Sequence, residues 1–191
     1  MLDPALVVRA YREGLFPMAI EGGEIGWFSP ERRGILPLDD FHVPARLART
    51  LRHRPFEIEV DRDFEAVIRA CAERPREGTW ISDVIIDGYV ALHRLGIAHS
   101  VEAWRDGRLA GGLYGVSLGG AFFGESMFHR ETDASKAALV ALVDRLRRRG
   151  YSLLDTQWVT EHLNQFGAIE IPRTDYLRRL KSALQKDCTF T

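Results

Sequence analysis

A glycine-rich run of apolar residues most constrains the fold of this chain. Six glycines interrupt the strand-forming segments of this run, at positions 111, 112, 115, 119, 120 and 124. Glycine weakens a strand because it has no side chain to pack, so its repeated use predicts bulges or close approach of another backbone. Glu125 lies in the same run, next to Phe122 and Phe123. This mixture is typical of a pocket built on a sheet, although a sheet with ordinary glycine bulges explains it as well.

The order of helix and strand patterns after residue 55 indicates a mixed fold. Residues 56–60 alternate as a strand does, and two amphipathic helices follow, the first ended by Pro75. Three strands come next, the first two joined by a hairpin turn at Asp106-Gly107. A helix, a strand over residues 151–159, a short helix, a strand and a closing helix complete the chain. This succession predicts a mixed sheet flanked by helices, in the α/β (α+β) class.

The first 55 residues have a different character and predict a small N-terminal domain. Asp3-Pro4 is a helix start, and Gly22-Gly23 joins two short strands. A further helix is expected over about residues 44–53. We therefore predict a division into residues 1–55 and residues 56–191. The second segment has an element order similar to the acyltransferase fold that the GCN5-related N-acetyltransferases share.

Composition excludes several classes of protein. The formal net charge of -1 gives no overall attraction to nucleic acid or to a membrane. The two cysteines lie far apart and the six histidines lack the spacing of metal ligands, so we predict no metal site. The N-terminus does not read as a signal peptide, and no apolar run is long enough to cross a bilayer. A soluble cytoplasmic protein is expected.

Asp155 and Gln157 are the first candidate catalytic residues. Residues two apart on a strand share a face, so an acid and an amide would stand together on an otherwise apolar surface. Asp155 is expected to accept a hydrogen bond from the Gln157 side-chain amide, which would aim the amide oxygen outward. Such an oxygen suits the orientation of an amine for attack on an activated ester, and an α-amine with a pKa of about 8 needs no strong base. The alternative is a satisfied pair that ties down a loop.

Two further features narrow the chemistry. Glu125 lies on the neighbouring strand, where a carboxylate at a pocket rim would select a cationic partner. For Phe122 and Glu125 to line the same pocket, Gly124 must form a bulge. The junction after this strand, MFHRETDASKAA, contains no glycine, and backbone amides need small residues to close around a pyrophosphate. The acyltransferase fold is thus expected without its usual acyl-CoA donor, and no cofactor is predicted.

A series of short motifs resembles those of the leucyl/phenylalanyl-tRNA–protein transferases. The motifs are YREGLFPM, WFSP, GTWIS, LGIAHSVEAW, GGLYGV, GESMF, ASKAAL, LLDTQ and FGAIEIPRTDYL, in this order from about Tyr11 to Leu180. The resemblance implies transfer of Leu, Phe or Met from aminoacyl-tRNA to the N-terminal Arg or Lys of a protein. The product would be a degradation signal of the bacterial N-degron (N-end rule) pathway. The resemblance also implies a small N-terminal domain beside an acetyltransferase-like catalytic domain.

The resemblance also implies roles for individual residues. Asp155 and Gln157 match the catalytic pair, in which the acid polarises the amide that orients the attacking amine. Glu125 matches the remaining polar residue of the catalytic site, assigned to acceptor recognition. Trp80 matches an aromatic beside the 3′-terminal adenosine, where a flat ring can stack, and Met18 stands where some relatives have a second aromatic. Four positions match the lining of the amino-acid side-chain pocket: Leu113, Phe122, Met127 and Leu146.

Two other functions fit parts of the sequence. An N-acyltransferase that uses acyl-CoA would need the missing pyrophosphate loop. A non-catalytic module that binds RNA or peptide would not need an acid and an amide in an apolar pocket. The arginines within 46–52 and 145–149 are candidate contacts for the tRNA acceptor stem, although solvation or a favourable charge at a helix C-terminus also explains them. The transferase function requires that the three candidate catalytic side chains open into one cavity with Trp80 at its mouth.

Overall fold

The structure is a computed structural model that describes residues 2–73 and 79–191. Its helices are α1 (Pro4–Arg12), α2 (Ala45–Arg52), α3 (Phe64–Ala72), α4 (Asp83–Arg94), α5 (Ala134–Arg148), α6 (Glu161–Asn164) and α7 (Arg173–Ala183). Its strands are β1 (Phe16–Ala19), β2 (Ile25–Phe28), β3 (Arg32–Ile35), β4 (Glu57–Val60), β5 (Ala98–Arg105), β6 (Arg108–Leu118), β7 (Ala121–His129), β8 (Leu153–Gln157) and β9 (Ile169–Pro172). The helix end predicted at Pro75 lies outside the described residues. Within those residues, no helix is both long and apolar enough to cross a membrane.

Seven strands form the main sheet, in the order β4-β5-β6-β7-β8-β3-β9. Among the strands of the described residues, only the β7–β8 pair is parallel, and the crossover between these two strands contains α5. Asp106 and Gly107 both have positive φ in the hairpin between β5 and β6, as the predicted tight turn requires. The mixed sheet flanked by helices and the predicted order of elements after residue 55 are confirmed.

The N-terminal segment divides between two sheets. β1 and β2 form a two-stranded sheet around the predicted turn at Gly22-Gly23. β3 instead lies between β8 and β9, inside the main sheet. Residues 1–55 therefore contribute a strand to the larger body, and a domain division at residue 55 stays a prediction.

The middle of the main sheet is buried on both faces, because β6 and β7 alternate their side chains between two core clusters. On β6, Leu113 belongs to one cluster and Tyr114 to the other. On β7, Phe122 belongs to the same cluster as Leu113, and Phe123 belongs to the same cluster as Tyr114. This alternation follows from strand geometry and places the middle of β7 against α5 on one side and α1 and α3 on the other.

Candidate active site

A cavity of about 490 Å³ lies against β6, β7 and β8, beside α5 and α6. Much of its wall is apolar, from the side chains of Leu113, Met127, Leu139, Leu142 and Leu154. Glu125 and Gln157 also line it. A largely apolar wall with a few convergent polar groups is the composition of a ligand site. In the described part of the chain, no group of three or more His, Cys, Asp or Glu side chains fits a metal ion.

Glu125 enters the cavity through a bulge in β7. Tyr114 of β6 pairs with Ser126 and Gly115 pairs with Gly124, so Glu125 is the extra residue between the two pairs. Gly115 permits this close approach, since a Cβ there would lie 2.3 Å from a carbonyl oxygen of β7. A bulge re-aims the side chain of the inserted residue. A bulge is therefore present where one was predicted at Gly124, with Glu125 as the unpaired residue.

Glu125 is held by three side-chain donors. Tyr11 donates to Oε1 at 2.6 Å, Gln157 Nε2 donates to the same oxygen at 2.9 Å, and Tyr89 donates to Oε2 at 3.2 Å. The hydroxyls of Tyr11 and Tyr89 also lie within hydrogen-bond distance of each other, and because each carries one proton, this contact competes with one of their bonds to an ionised Glu125. Burial raises the pKa of Glu125 to about 7, although the hydrogen bond from Tyr11 opposes this effect. Both charge states of Glu125 are consequently populated near neutral pH.

Asp155 is fully buried in an ion pair with Arg33. Arg33 Nε donates to Oδ1 at 2.9 Å and Nη2 donates to Oδ2 at 2.7 Å, while Tyr176 donates to Oδ2 at 2.7 Å. The guanidinium also lies against the rings of Phe16 and Tyr176, 4.6 and 4.5 Å from their centroids. Two charges can be buried in this way because the bidentate geometry and the added hydrogen bonds compensate for lost hydration.

The backbone turns sharply at Gln157, which has φ 64°. The Trp158 N–H donates to the Thr156 carbonyl at 2.7 Å, and this closes a γ-turn centred on Gln157. A positive φ at a residue other than glycine is strained and persists only where the surroundings enforce it. Asp155 Oδ1 enforces it here by accepting the Gln157 N–H at 2.8 Å. The turn interrupts strand alternation, and the Gln157 side chain reaches Glu125 in the cavity.

The hydrogen bond predicted between the Asp155 carboxylate and the Gln157 side-chain amide is wrong. The amide nitrogen bonds to Glu125, whereas Asp155 bonds to the backbone of Gln157. The prediction assumed an extended strand through residue 157, and the positive φ removes that assumption. Glu125 and Gln157 therefore open into one cavity, while Asp155 lies behind it and fixes the backbone. The expectation that all three candidate catalytic side chains open into the cavity is thus wrong for Asp155.

Three residues expected to bind substrate line the cavity: Trp80, Leu113 and Met127. Phe122 and Leu146 are instead fully buried in the core cluster that contains the leucines of the wall, so they support the wall from behind. Met18 is partly buried and packs against the other core cluster. The substrate-binding roles of all these residues stay predictions.

Four residues that shape the polar part of the site were not found from the sequence: Tyr11, Arg33, Tyr89 and Trp158. Tyr11 and Tyr89 occupy buried positions of the amphipathic helices α1 and α4, so their spacing marks them only as core. Arg33 lies on a four-residue strand, and its burial has no local signal. Trp158 lines the cavity, and its position directly after the predicted catalytic residue Gln157 was the signal available in the sequence.

The two groups of candidate tRNA-binding arginines differ in their contacts. At the end of α5, Arg145 donates at 2.7 Å to the carbonyl oxygen of Phe190 in the C-terminal tail. Arg147 donates at 2.7 Å to the carbonyl oxygen of Leu38, in the segment before α2. On α2, Arg46 forms a bidentate pair with Asp133, at 2.9 and 2.8 Å. The next two arginines of α2, Arg49 and Arg52, are exposed.

Two family models match the chain. Residues 1–31 match the leucyl/phenylalanyl-tRNA protein transferase N-terminal domain, and residues 35–181 match leucyl/phenylalanyl-tRNA protein transferase. The chain belongs to this family. The resemblance seen in the sequence motifs is confirmed.

Curated relatives in this family match almost the whole chain. The chain is 58% identical to the leucyl/phenylalanyl-tRNA–protein transferase of Rubrobacter xylanophilus, over 99% of this chain and 98% of the relative. It is also 58% identical to that of Paramagnetospirillum magneticum, over 99% and 92% respectively. Among solved structures, it is similar to the structure of L-PGS from Bacillus licheniformis, with a TM-score of 0.46 and 15% identity, over 82% of this chain and 54% of that chain. This last likeness is too low to assign a fold family.

Proposed function

We propose that this protein transfers leucine, phenylalanine or methionine from aminoacyl-tRNA to the N-terminal Arg or Lys of acceptor proteins. The product is marked for degradation by the bacterial N-degron pathway. The supporting observation is a leucine-rich cavity in which the Gln157 amide is fixed by Glu125. Family relatives named for this activity cover almost all of the chain, which supports the same function.

The apolar wall of the cavity selects the donor amino acid. Leu113, Met127 and Leu142 present only carbon and sulfur, so a Leu, Phe or Met side chain leaves water there, a gain of about 1.5–3 kcal/mol for full burial. A polar side chain would lose its hydration without compensation. Trp80 offers its ring to the terminal adenine of the tRNA, and such stacking contributes about 1–3 kcal/mol per base.

Gln157 orients the attacking amine. The neutral α-amine of the acceptor attacks the ester carbonyl carbon, the C–N bond forms, and the bond from that carbon to the ribose oxygen breaks. The nitrogen loses a proton and the ribose oxygen gains one. Because Gln157 Nε2 is committed to Glu125, Oε1 is free to accept an N–H of the amine and align its lone pair. Ionised Glu125 polarises the amide and strengthens that oxygen as an acceptor.

The remaining parts of the chain have supporting roles in this proposal. Asp155 positions Gln157 through the backbone and does not touch the substrate. The exposed arginines of α2 contact phosphates of the acceptor stem, while those at the end of α5 hold neighbouring segments in place. Residues 56–191 form an acetyltransferase-like catalytic domain, and the protein acts in the cytoplasm, where charged tRNA is available.

A transfer assay tests the proposal. Labelled leucine on leucyl-tRNA is offered with a peptide that begins with Arg, and with a matched peptide that begins with Ala. We expect transfer to the Arg peptide alone, and we expect Gln157→Ala to lower turnover by at least tenfold with little change in donor binding. Gln165→Ala, at an exposed glutamine beyond α6, is the control and should retain activity. Binding of leucyl-tRNA without transfer to either peptide would instead favour a binding module.

A further inference from the structure

Trp158 is a partly exposed tryptophan in the wall of the cavity. It is 40% exposed and directly follows Gln157 in the chain. Tryptophan is among the residue types that contribute most to binding energy at interfaces. The proposed transfer step makes no use of its ring.

Three contacts hold Trp158 in place. Its backbone rests on Gly34, where an added Cβ would lie 2.5 Å from the Trp158 carbonyl carbon. Phe16 packs edge-on against its ring, with centroids 5.1 Å apart and an interplanar angle of 89°. Its N–H closes the γ-turn at Gln157. Two of these contacts fix the backbone that carries the ring and the third restrains the ring itself, so less conformational freedom is lost when a ligand binds.

The cavity offers few other partners for a cation. Among the described residues that line it, Glu125 is the one acidic side chain, and it is 8% exposed with three donors already bound. Asp155 lies behind the wall in its ion pair with Arg33. An acceptor whose α-amine meets Gln157 carries its own side chain only a few bonds away. Trp158, the residue after Gln157 in the chain, lines the cavity with an aromatic side chain.

We propose that Trp158 binds the cationic side chain of the acceptor's N-terminal residue through a cation–π contact. Tryptophan is the strongest of the aromatic residues in this interaction. The contact depends on positive charge rather than on a fixed hydrogen-bond geometry, so one ring accepts both a guanidinium and an ammonium group. The assignment rests on the proposed transfer to N-terminal Arg or Lys, and it gives that acceptor rule a physical basis.

Peptide binding tests the assignment without requiring transfer. Peptides labelled at their C-terminus and beginning with Arg, Lys or citrulline, a neutral analogue of Arg, are titrated into the wild type, Trp158→Phe and Trp158→Leu. We expect Trp158→Leu to weaken binding of the Arg and Lys peptides about tenfold and that of the citrulline peptide less than about twofold. Trp158→Phe should retain most of the affinity. Leu95→Ala, at an exposed apolar residue away from the cavity, should change nothing.

Two results would overturn the assignment. One is a raised KM for leucyl-tRNA in Trp158→Leu with unchanged peptide binding, since the ring would then contact a base. The other is an equal loss for the Arg and citrulline peptides, since the contact would then depend on apolar area alone. If the wild type binds Arg peptides through Trp158 but transfers no leucine, the assignment stands and the proposed transfer fails.

Discussion

Replacing Glu125 by glutamine should increase the free energy of unfolding relative to the wild type, and this increase should be larger at pH 8 than at pH 5. The same substitution should slow transfer. A pKa raised from 4.5 to about 7 makes ionisation about 3 kcal/mol less favourable in the folded protein than in the unfolded chain, at about 1.4 kcal/mol per pH unit. The folded protein then keeps a proton that the unfolded chain has released. The stability contributed by this carboxyl therefore falls as pH rises from about 4.5 to about 7.

Glutamine has a similar shape and no charge to bury, so Glu125→Gln escapes this penalty. Its amide oxygen, at the position of Oε1, can still accept hydrogen bonds from the Tyr11 hydroxyl and the Gln157 amide, and its NH2 group, at the position of Oε2, can donate to the Tyr89 hydroxyl. We expect the stability of the variant relative to the wild type to increase by about 2 kcal/mol between pH 5 and pH 8. Transfer at pH 8 should fall about tenfold, because a neutral acceptor polarises the Gln157 amide less than a carboxylate does.

Urea unfolding at pH 5 and pH 8, followed by tryptophan fluorescence, measures the first effect. Single-turnover transfer from leucyl-tRNA to an Arg peptide measures the second. Glu161→Gln removes an exposed carboxylate and is the matched control, with no pH-dependent change in relative stability. A stability difference between Glu125→Gln and the wild type that is the same at both pH values would refute the raised pKa.

Two further substitutions examine the ion pair and the apolar wall. Arg33→Met leaves the Asp155 carboxylate buried without its partner, so we expect a loss of about 3–5 kcal/mol in the free energy of unfolding. A change under about 1 kcal/mol in urea unfolding would contradict the role of this pair. Met127→Ala enlarges the donor side of the cavity, and competition between leucyl-tRNA and phenylalanyl-tRNA should show the Phe-to-Leu transfer ratio rising several-fold. An unchanged ratio would place the donor side chain elsewhere.

Most of the fold could be predicted because its signals are local. The alternation of β4 to β7 and the Asp106-Gly107 turn each depend on a few neighbouring residues. The position of β3 between β8 and β9 was not predicted, because this strand has four residues and two of them are arginines. Pairing across more than a hundred residues leaves no pattern in a segment of that length.

In the candidate site, too, contacts between residues that are distant in sequence could not be predicted. Glu125 and Gln157 carry chemistry that marks them in any strand, and both line the cavity. The partners that fix them are distant in sequence: Tyr11 is 114 residues from Glu125, and Arg33 is 122 residues from Asp155. A buried arginine and two buried tyrosines resemble ordinary surface and core residues until the fold brings them together. The pattern therefore identified the candidate site residues that line the cavity better than the residues that hold them.

The γ-turn at Gln157 connects the positions of Asp155, Gln157 and Trp158. A strained, left-handed residue needs an external restraint, and Asp155 supplies it through the Gln157 N–H. Asp155 can do so only because Arg33 neutralises it in the core. The same turn aims the Gln157 side chain at Glu125 and sets Trp158 in the cavity wall. The proposed catalytic amide and the proposed acceptor-binding ring thus depend on one backbone feature, so a change at the buried Asp155 is expected to alter both without changing a residue that lines the cavity.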